Sequence, residues 1–170
     1  MDLDPKNLVA LSAIASCYAN ESRLDLAFNS LRDWLLAHEK YSNKIVNMID
    51  HSLKCDDRLD KLSENLKQLQ LCFLKCIRES LNDYMDPDLQ SCLGILFNIC
   101  GDYEKAVDCF GTALQIDPAD FVTWNRFGAN LANLSRDEEA IEAYKQALML
   151  NRGYVRAKYN IGVSLMNLER

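Results

Sequence analysis

The 170-residue chain has 6 Gly and 3 Pro, a low share against an ordinary usage of about 12% for the pair. So few breakers exclude collagen-like and low-complexity classes and leave little room for the turns of a sandwich or barrel. Apolar residues at 49%, charged residues at 26% and a net charge of −6 describe a globular chain without the basic surplus of a general nucleic-acid binder.

The first five residues, Met1-Asp2-Leu3-Asp4-Pro5, form neither a basic n-region nor an apolar h-region, so no signal peptide is expected. No apolar stretch approaches the ~20 residues of a membrane span. Residues 8–40 read as a helix pair, with Ala15, Tyr18, Ala27 and Leu31 at its packing positions and Trp34 where a second alanine would fit. Residues 41–86 read as helical but irregular. Apolar spacing runs through Ile45, Val46, Ile49 and Leu53, and again through Leu66, Leu69, Phe73, Leu74 and Ile77, with a break expected at Asp56-Asp57. This stretch is expected to be a degenerate repeat or a spacer.

From residue 87 the pattern is periodic. Gln90-Ser-Cys-Leu-Gly-Ile-Leu-Phe97, Trp124-Asn-Arg-Phe-Gly-Ala-Asn-Leu131 and Lys158-Tyr-Asn-Ile-Gly-Val-Ser-Leu165 align at a constant offset. Gly94, Gly128 and Gly162 fall in register, and Ala106, Phe110 and Ala113 match Ala140, Tyr144 and Ala147. Residues 87–120 and 121–154 are complete units, and residues 155–170 supply only a first helix. A terminal unit normally carries a polar cap, so the chain reads as a piece of a longer array.

A period of about 34 residues with a Leu-Gly pair, then Ala-x-x-x-aromatic-x-x-Ala and Pro, resembles the tetratricopeptide repeat. The expected fold is all-α, a right-handed superhelical solenoid of antiparallel helix pairs, helix A then helix B in each unit. Counting position 1 at Leu8, Pro87, Phe121 and Val155, Gly at position 8 of helix A lets helix B approach closely. Alanines at positions 20 and 27 do the same from helix B.

Each helical residue turns about 100°. Positions 4, 7, 8 and 11 of helix A share the packing face, and positions 2, 5, 6, 9 and 13 lie opposite, on the side that lines the concave surface of such solenoids. In unit 121–154 that side holds Val122, Asn125, Arg126, Ala129 and Asn133; in 155–170 it holds Arg156, Tyr159, Asn160, Val163 and Asn167. Asn133 and Asn167 share position 13 with Asn20, and Arg126 shares position 6 with Asn160. An amide can donate to a peptide carbonyl and accept from a peptide N–H, so an asparagine ladder suits an extended backbone. Arg126 and Arg156 add positive charge suited to a carboxylate. The competing reading for Asn at position 13 is a helix-end cap or plain solvation. The charged runs at 56–58 and 136–139 read as solvated helix starts that complement the dipole.

No nucleophile triad, Gly-rich phosphate loop or metal-ligand spacing is present. Seven cysteines include no Cys-x-x-Cys pair, and His38 and His51 have no ligand spacing. The cysteines therefore read as buried packing residues in a reducing compartment, and no cofactor, metal or enzyme activity is expected.

Asp86-Pro-Asp-Leu-Gln, Gly94-Ile-Leu-Phe-Asn, Gly101-Asp-Tyr-Glu-Lys-Ala-Val-Asp-Cys-Phe110, Trp124 to Asn133 and Gly153-Tyr-Val-Arg-Ala-Lys-Tyr-Asn160 are more specific. They resemble the C-terminal repeat domain of receptors for the type 1 peroxisomal targeting signal. Ser30-Leu-Arg-Asp-Trp34 is similar too, and 41–80 is the weakest part. The resemblance implies a cytoplasmic import receptor that cycles to the peroxisomal membrane. Two blocks of three repeats, joined by a distorted middle repeat, would surround a cargo C-terminus of Ser-Lys-Leu type. Membrane docking proteins would be reached through the full-length receptor. The family's contact asparagines match Asn125, Asn133, Asn160 and Asn167. Its basic residue at the start of the last helix A matches Arg156, and a family lysine is Arg126 here.

Two other readings stay open. A chaperone adaptor clamping an acidic C-terminal peptide would need more Lys and Arg on the stripe than Arg126 and Arg156. A regulatory repeat segment of an enzyme would repeat Asn at one position through most units, yet Ile99 stands where Asn133 would align.

Overall fold

A computed structural model describes residues 7–45, 48, 59–80 and 85–169. The expected break at Asp56-Asp57 and the charged run 56–58 lie outside the described residues. Every regular element among those described is a helix. The chain divides into two compact units, residues 1–85 and 86–170.

In the first unit α1 (Leu8–Asn20) and α2 (Leu24–Ala37) form a helix pair. Asn7 starts α1 by accepting from the Ala10 N–H over 3.0 Å, which satisfies one of the helix's orphan donors. A short α3 (Glu39–Ile45) and a long α4 (Leu59–Ser80) follow. Trp34 explains their placement. Its bulky ring, where a regular unit would have alanine, is buried and stacks on Tyr41 of α3 at 6.3 Å and on Phe73 of α4 at 6.1 Å. Lys75 Nζ of α4 also donates to the Lys44 carbonyl over 3.3 Å. A cluster of aromatic rings thus organises the irregular part.

The second unit repeats one packing motif. It contains α5 (Pro87–Ile99), α6 (Tyr103–Ile116), α7 (Phe121–Asn133), α8 (Asp137–Leu150) and α9 (Val155–Leu168). Asp86 caps α5 by accepting from Asp88 N at 2.9 Å and Leu89 N at 3.3 Å, with Pro87 in the first turn; proline suits that place because its missing N–H is not needed there. Asp120 caps α7 in the same way.

Each pair then closes on its glycine. A Cβ on Gly94 would lie 2.8 Å from the Phe110 ring, and one on Gly128 would lie 2.6 Å from Tyr144. The aromatic at position 24 therefore rests on the bare backbone at position 8. Ala106, Ala113, Ala140 and Ala147 are buried beside these rings. Around Leu131 and Tyr144 the core extends to Phe121, Trp124, Phe127, Tyr154 and Ile161. Phe121 and Tyr154 meet edge to face at 5.0 Å, a favoured geometry for aromatic quadrupoles.

The turn from helix A to helix B has a fixed conformation. Position 15 is left-handed in three units, at Ser22 (φ 57°), Gly101 (φ 74°) and Ser135 (φ 58°). Only the middle unit uses the residue that adopts this region freely.

Candidate functional site

The polar residues of the A helices meet with a one-position offset. Asn160 Nδ2 of α9 donates to Asn125 Oδ1 of α7 over 3.0 Å. Arg126 Nη1 of α7 donates to Ser91 Oγ of α5 over 3.0 Å. In each case position 6 of one unit donates to position 5 of the unit before it. A third link, Asn98 Nδ2 to Asn130 Oδ1 at 2.9 Å, joins α5 to α7, and Asn130 Nδ2 turns back to the Arg126 carbonyl at 2.9 Å. Amides suit these places because one group can donate on one side and accept on the other.

These bonds separate the four expected asparagines. Asn125 is 4% exposed, while Tyr159 at the same position of the next unit is 71% exposed. With Oδ1 occupied by Asn160, Asn125 has its Nδ2 left to offer. Asn160 is half-buried beside it. Asn133 and Asn167 are exposed near the ends of α7 and α9. Asn133 makes no side-chain hydrogen bond among the described residues, and the C-cap of α7 is backbone-made at Leu134; its side chain caps nothing there. Asn167 Nδ2 donates to Asp137 Oδ1 over 3.2 Å. Ala129 is half-buried and Arg156 is exposed in the first turn of α9. The structure thus brings Asn125 and Asn160 together, ties Arg126 to Ser91, and leaves Arg156 and Asn133 outside the bonded ladder.

Arg126 is half-buried. Desolvation pulls its guanidinium below the usual arginine value, and nearby acidic groups including Asp120 and Asp88 act in the other direction. An arginine starts so far above neutrality that it stays charged at physiological pH. A desolvated cation of this kind interacts more strongly with an incoming anion than a fully hydrated one.

The reading of 136–139 as a solvated run needs correcting at one residue. Arg136 and Glu139 do lie at the surface, paired at 2.6 Å. Asp137, however, is buried, because α9 folds over the start of α8 and supplies the Asn167 amide. Ser91, which also meets Thr123 Oγ1 at 3.3 Å, and the Asn98–Asn130 pair were not candidates in the sequence, and Asp137 stood there only as part of a charged run. The usable signal was the spacing of about one repeat between complementary groups, 35 residues for Ser91–Arg126 and for Asn125–Asn160.

The tetratricopeptide-repeat family model matches residues 93–120 and 122–154. The chain is 39% identical over 99% of its length to a peroxisomal targeting signal receptor of Saccharomyces cerevisiae, of which it covers 27%. It is 40% identical over 99% of its length to the receptor of that name from Candida albicans, covering 28% of it. A PEX5-related protein of Mus musculus is 39% identical over 82% of the chain and is covered for 25%. The chain therefore spans about a quarter of the length of these relatives. Among solved structures, YrrB, a TPR protein with an unusual peptide-binding site, superposes with a TM-score of 0.58 at 17% identity, covering 98% of this chain and 80% of its own. The first TPR domain of RPAP3, bound to an HSP90 peptide, gives 0.57 at 18% identity, covering 64% of this chain and 83% of its own. At these identities the structural likeness shows the fold alone, an all-α tetratricopeptide-repeat architecture.

Proposed function

We propose that this chain, a tetratricopeptide-repeat segment of the peroxisomal targeting signal receptor kind, forms part of the site that receives C-terminal Ser-Lys-Leu-type signals of matrix proteins. It acts as a binding surface and not as a catalyst. The similarity to receptors of that name over 99% of the chain carries this reading. The meeting of Asn125 with Asn160, from adjacent helices, supports the assignment of these amides to one site.

Asn125, Asn133, Asn160 and Asn167 bond the peptide backbone, each with whichever side of its amide the ladder leaves open. Arg126 and Arg156 favour the terminal carboxylate, and Ala129 leaves room for the chain to pass. Recognition of a backbone and a chain terminus explains how one surface takes many cargo proteins. In the whole protein the receptor cycles between the cytoplasm and the peroxisomal membrane and meets docking proteins there. No described helix is long and apolar enough to cross a membrane.

The test uses the full-length protein that carries this sequence, with labelled peptides ending in Ser-Lys-Leu, their C-terminal amides, and an acidic chaperone-type tail. Preference for the free-acid Ser-Lys-Leu peptide is expected. Equal affinity for acid and amide, or preference for the acidic tail, sinks the reading.

A further inference from the structure

Four side chains run in a line from Arg126 into the start of α7. Arg126 Nη1 lies 3.0 Å from Ser91 Oγ. Ser91 Oγ lies 3.3 Å from Thr123 Oγ1, and Thr123 Oγ1 lies 2.5 Å from Asp120 Oδ2. The other oxygen of Asp120 is occupied by the Val122 N–H at 2.9 Å, in the cap of α7. Ser91 and Thr123 are both buried, at 4% and 1% exposure.

The two ends fix the direction of every proton. A guanidinium can only donate and an ionised carboxylate can only accept. Thr123 therefore gives its hydroxyl proton to Asp120 and must accept from Ser91. Ser91 in turn gives its proton to Thr123 and accepts from Arg126. The chain runs Arg126 to Ser91 to Thr123 to Asp120, from a positive group to a negative one, and such aligned bonds strengthen one another.

From this line we infer that Ser91 and Thr123 are positioning residues for Arg126, tying its guanidinium through two hydroxyls to the carboxylate that caps the same helix. This rests on the proposed reading of Arg126 as a group that favours a peptide carboxylate. Thr123 is three residues before Arg126 on α7, and Ser91 is on α5, so the relay sets the guanidinium from two helices at once. Its consequence is selectivity for a free C-terminus. A guanidinium turned out of this orientation would still attract anions but would lose the geometry that separates a carboxylate from an amide. Neither hydroxyl needs to touch the peptide.

The experiment measures affinity for a free-acid Ser-Lys-Leu peptide and for its amide, in the full-length protein and in Thr123→Val, Thr123→Ser and Ser91→Ala. Valine keeps the shape of threonine and removes both bonds. The ratio of acid to amide affinity is expected to fall about 3- to 10-fold in Thr123→Val and Ser91→Ala, the range for one or two lost hydrogen bonds. It should stay near the parent value in Thr123→Ser. A merely structural role would weaken both peptides together and leave the ratio unchanged, which would overturn the inference. A parent protein with no acid preference would overturn this inference and the proposed function together; a parent that prefers the acid while Thr123→Val keeps the same ratio would overturn the inference alone.

Discussion

Asn160 Nδ2 donates to Asn125 Oδ1 over 3.0 Å, and the acceptor side chain is almost wholly enclosed. Asn160→Ala would leave the Asn125 oxygen without its bond in a place that water barely reaches. A loss of about 1–3 kcal/mol of stability is expected. Chemical denaturation of the parent and the variant checks it. Asn133→Ala, which breaks no bond among the described residues, should stay within about 0.5 kcal/mol of the parent. Equal losses in both would contradict the ladder.

The glycine positions divide by what faces them. In Gly128→Ala the new Cβ would meet Tyr144 at 2.6 Å and the Ala140 carbonyl at 3.1 Å. The ring has nowhere to retreat within a filled core, so a loss of about 1–3 kcal/mol is expected. Gly162 occupies the same repeat position, yet a Cβ there meets nothing within 4 Å. Gly162→Ala should raise stability in this chain by up to about 1 kcal/mol through helix propensity. Thermal melts followed by circular dichroism would show opposite shifts.

Ser135 holds a left-handed backbone with φ 58°, where Gly101 stands one unit earlier. Ser135→Gly should remove the Cβ strain and raise stability by about 0.5–1 kcal/mol, net of the extra chain entropy of glycine. Gly101→Ala should move the other way by a similar amount. An unchanged melting temperature in both would rule out strain at this turn.

Burial pushes the Cys76 thiol up to about 11 and the Cys109 thiol up to about 12. Both values lie above the ordinary thiol value of about 8.5. The sign follows directly. The folded chain keeps these protons more tightly than the unfolded chain, so their contribution is whole below about pH 8.5 and is lost as pH rises toward 11 or 12. Each thiol should contribute about 1–2 kcal/mol to an alkaline loss of stability, and replacing Cys109 by Ala should make the slope shallower. At neutral pH a thiol reagent should label exposed Cys17 and Cys100 well before buried Cys72, Cys76, Cys92 and Cys109.

The periodic parts of the fold were legible because each marker has one physical job. Gly94 and Gly128 announce a close approach, and Phe110 and Tyr144 are what approaches. Trp34 was equally visible as a departure, but its partners Tyr41 and Phe73 follow no repeat spacing and so could not be named in advance. The geometry of the candidate site was less legible. Position 5 holds Asn125 in one unit and Tyr159 in the next, and only packing makes one buried and the other exposed. Ser91 and Thr123 escaped notice because a lone hydroxyl on a helix has many uses. Asp137 escaped because a charged first turn is usually solvated, and nothing in its own neighbourhood shows that α9 lies over it.

The link from position 6 to position 5 has a polarity. Arg126 and Asn160 are donors facing backward, toward Ser91 and Asn125. A unit therefore carries a plug on one edge and a socket on the other, and arginine, which cannot accept, fits only behind a socket. Exchanging the helices α7 and α9 would set Arg126 against Tyr159, which is exposed, in place of the buried Ser91, and the short buried link at that position would be lost. The order of the units is thus written into their side-chain chemistry, so that two helix pairs with the same fold and the same period are not interchangeable parts.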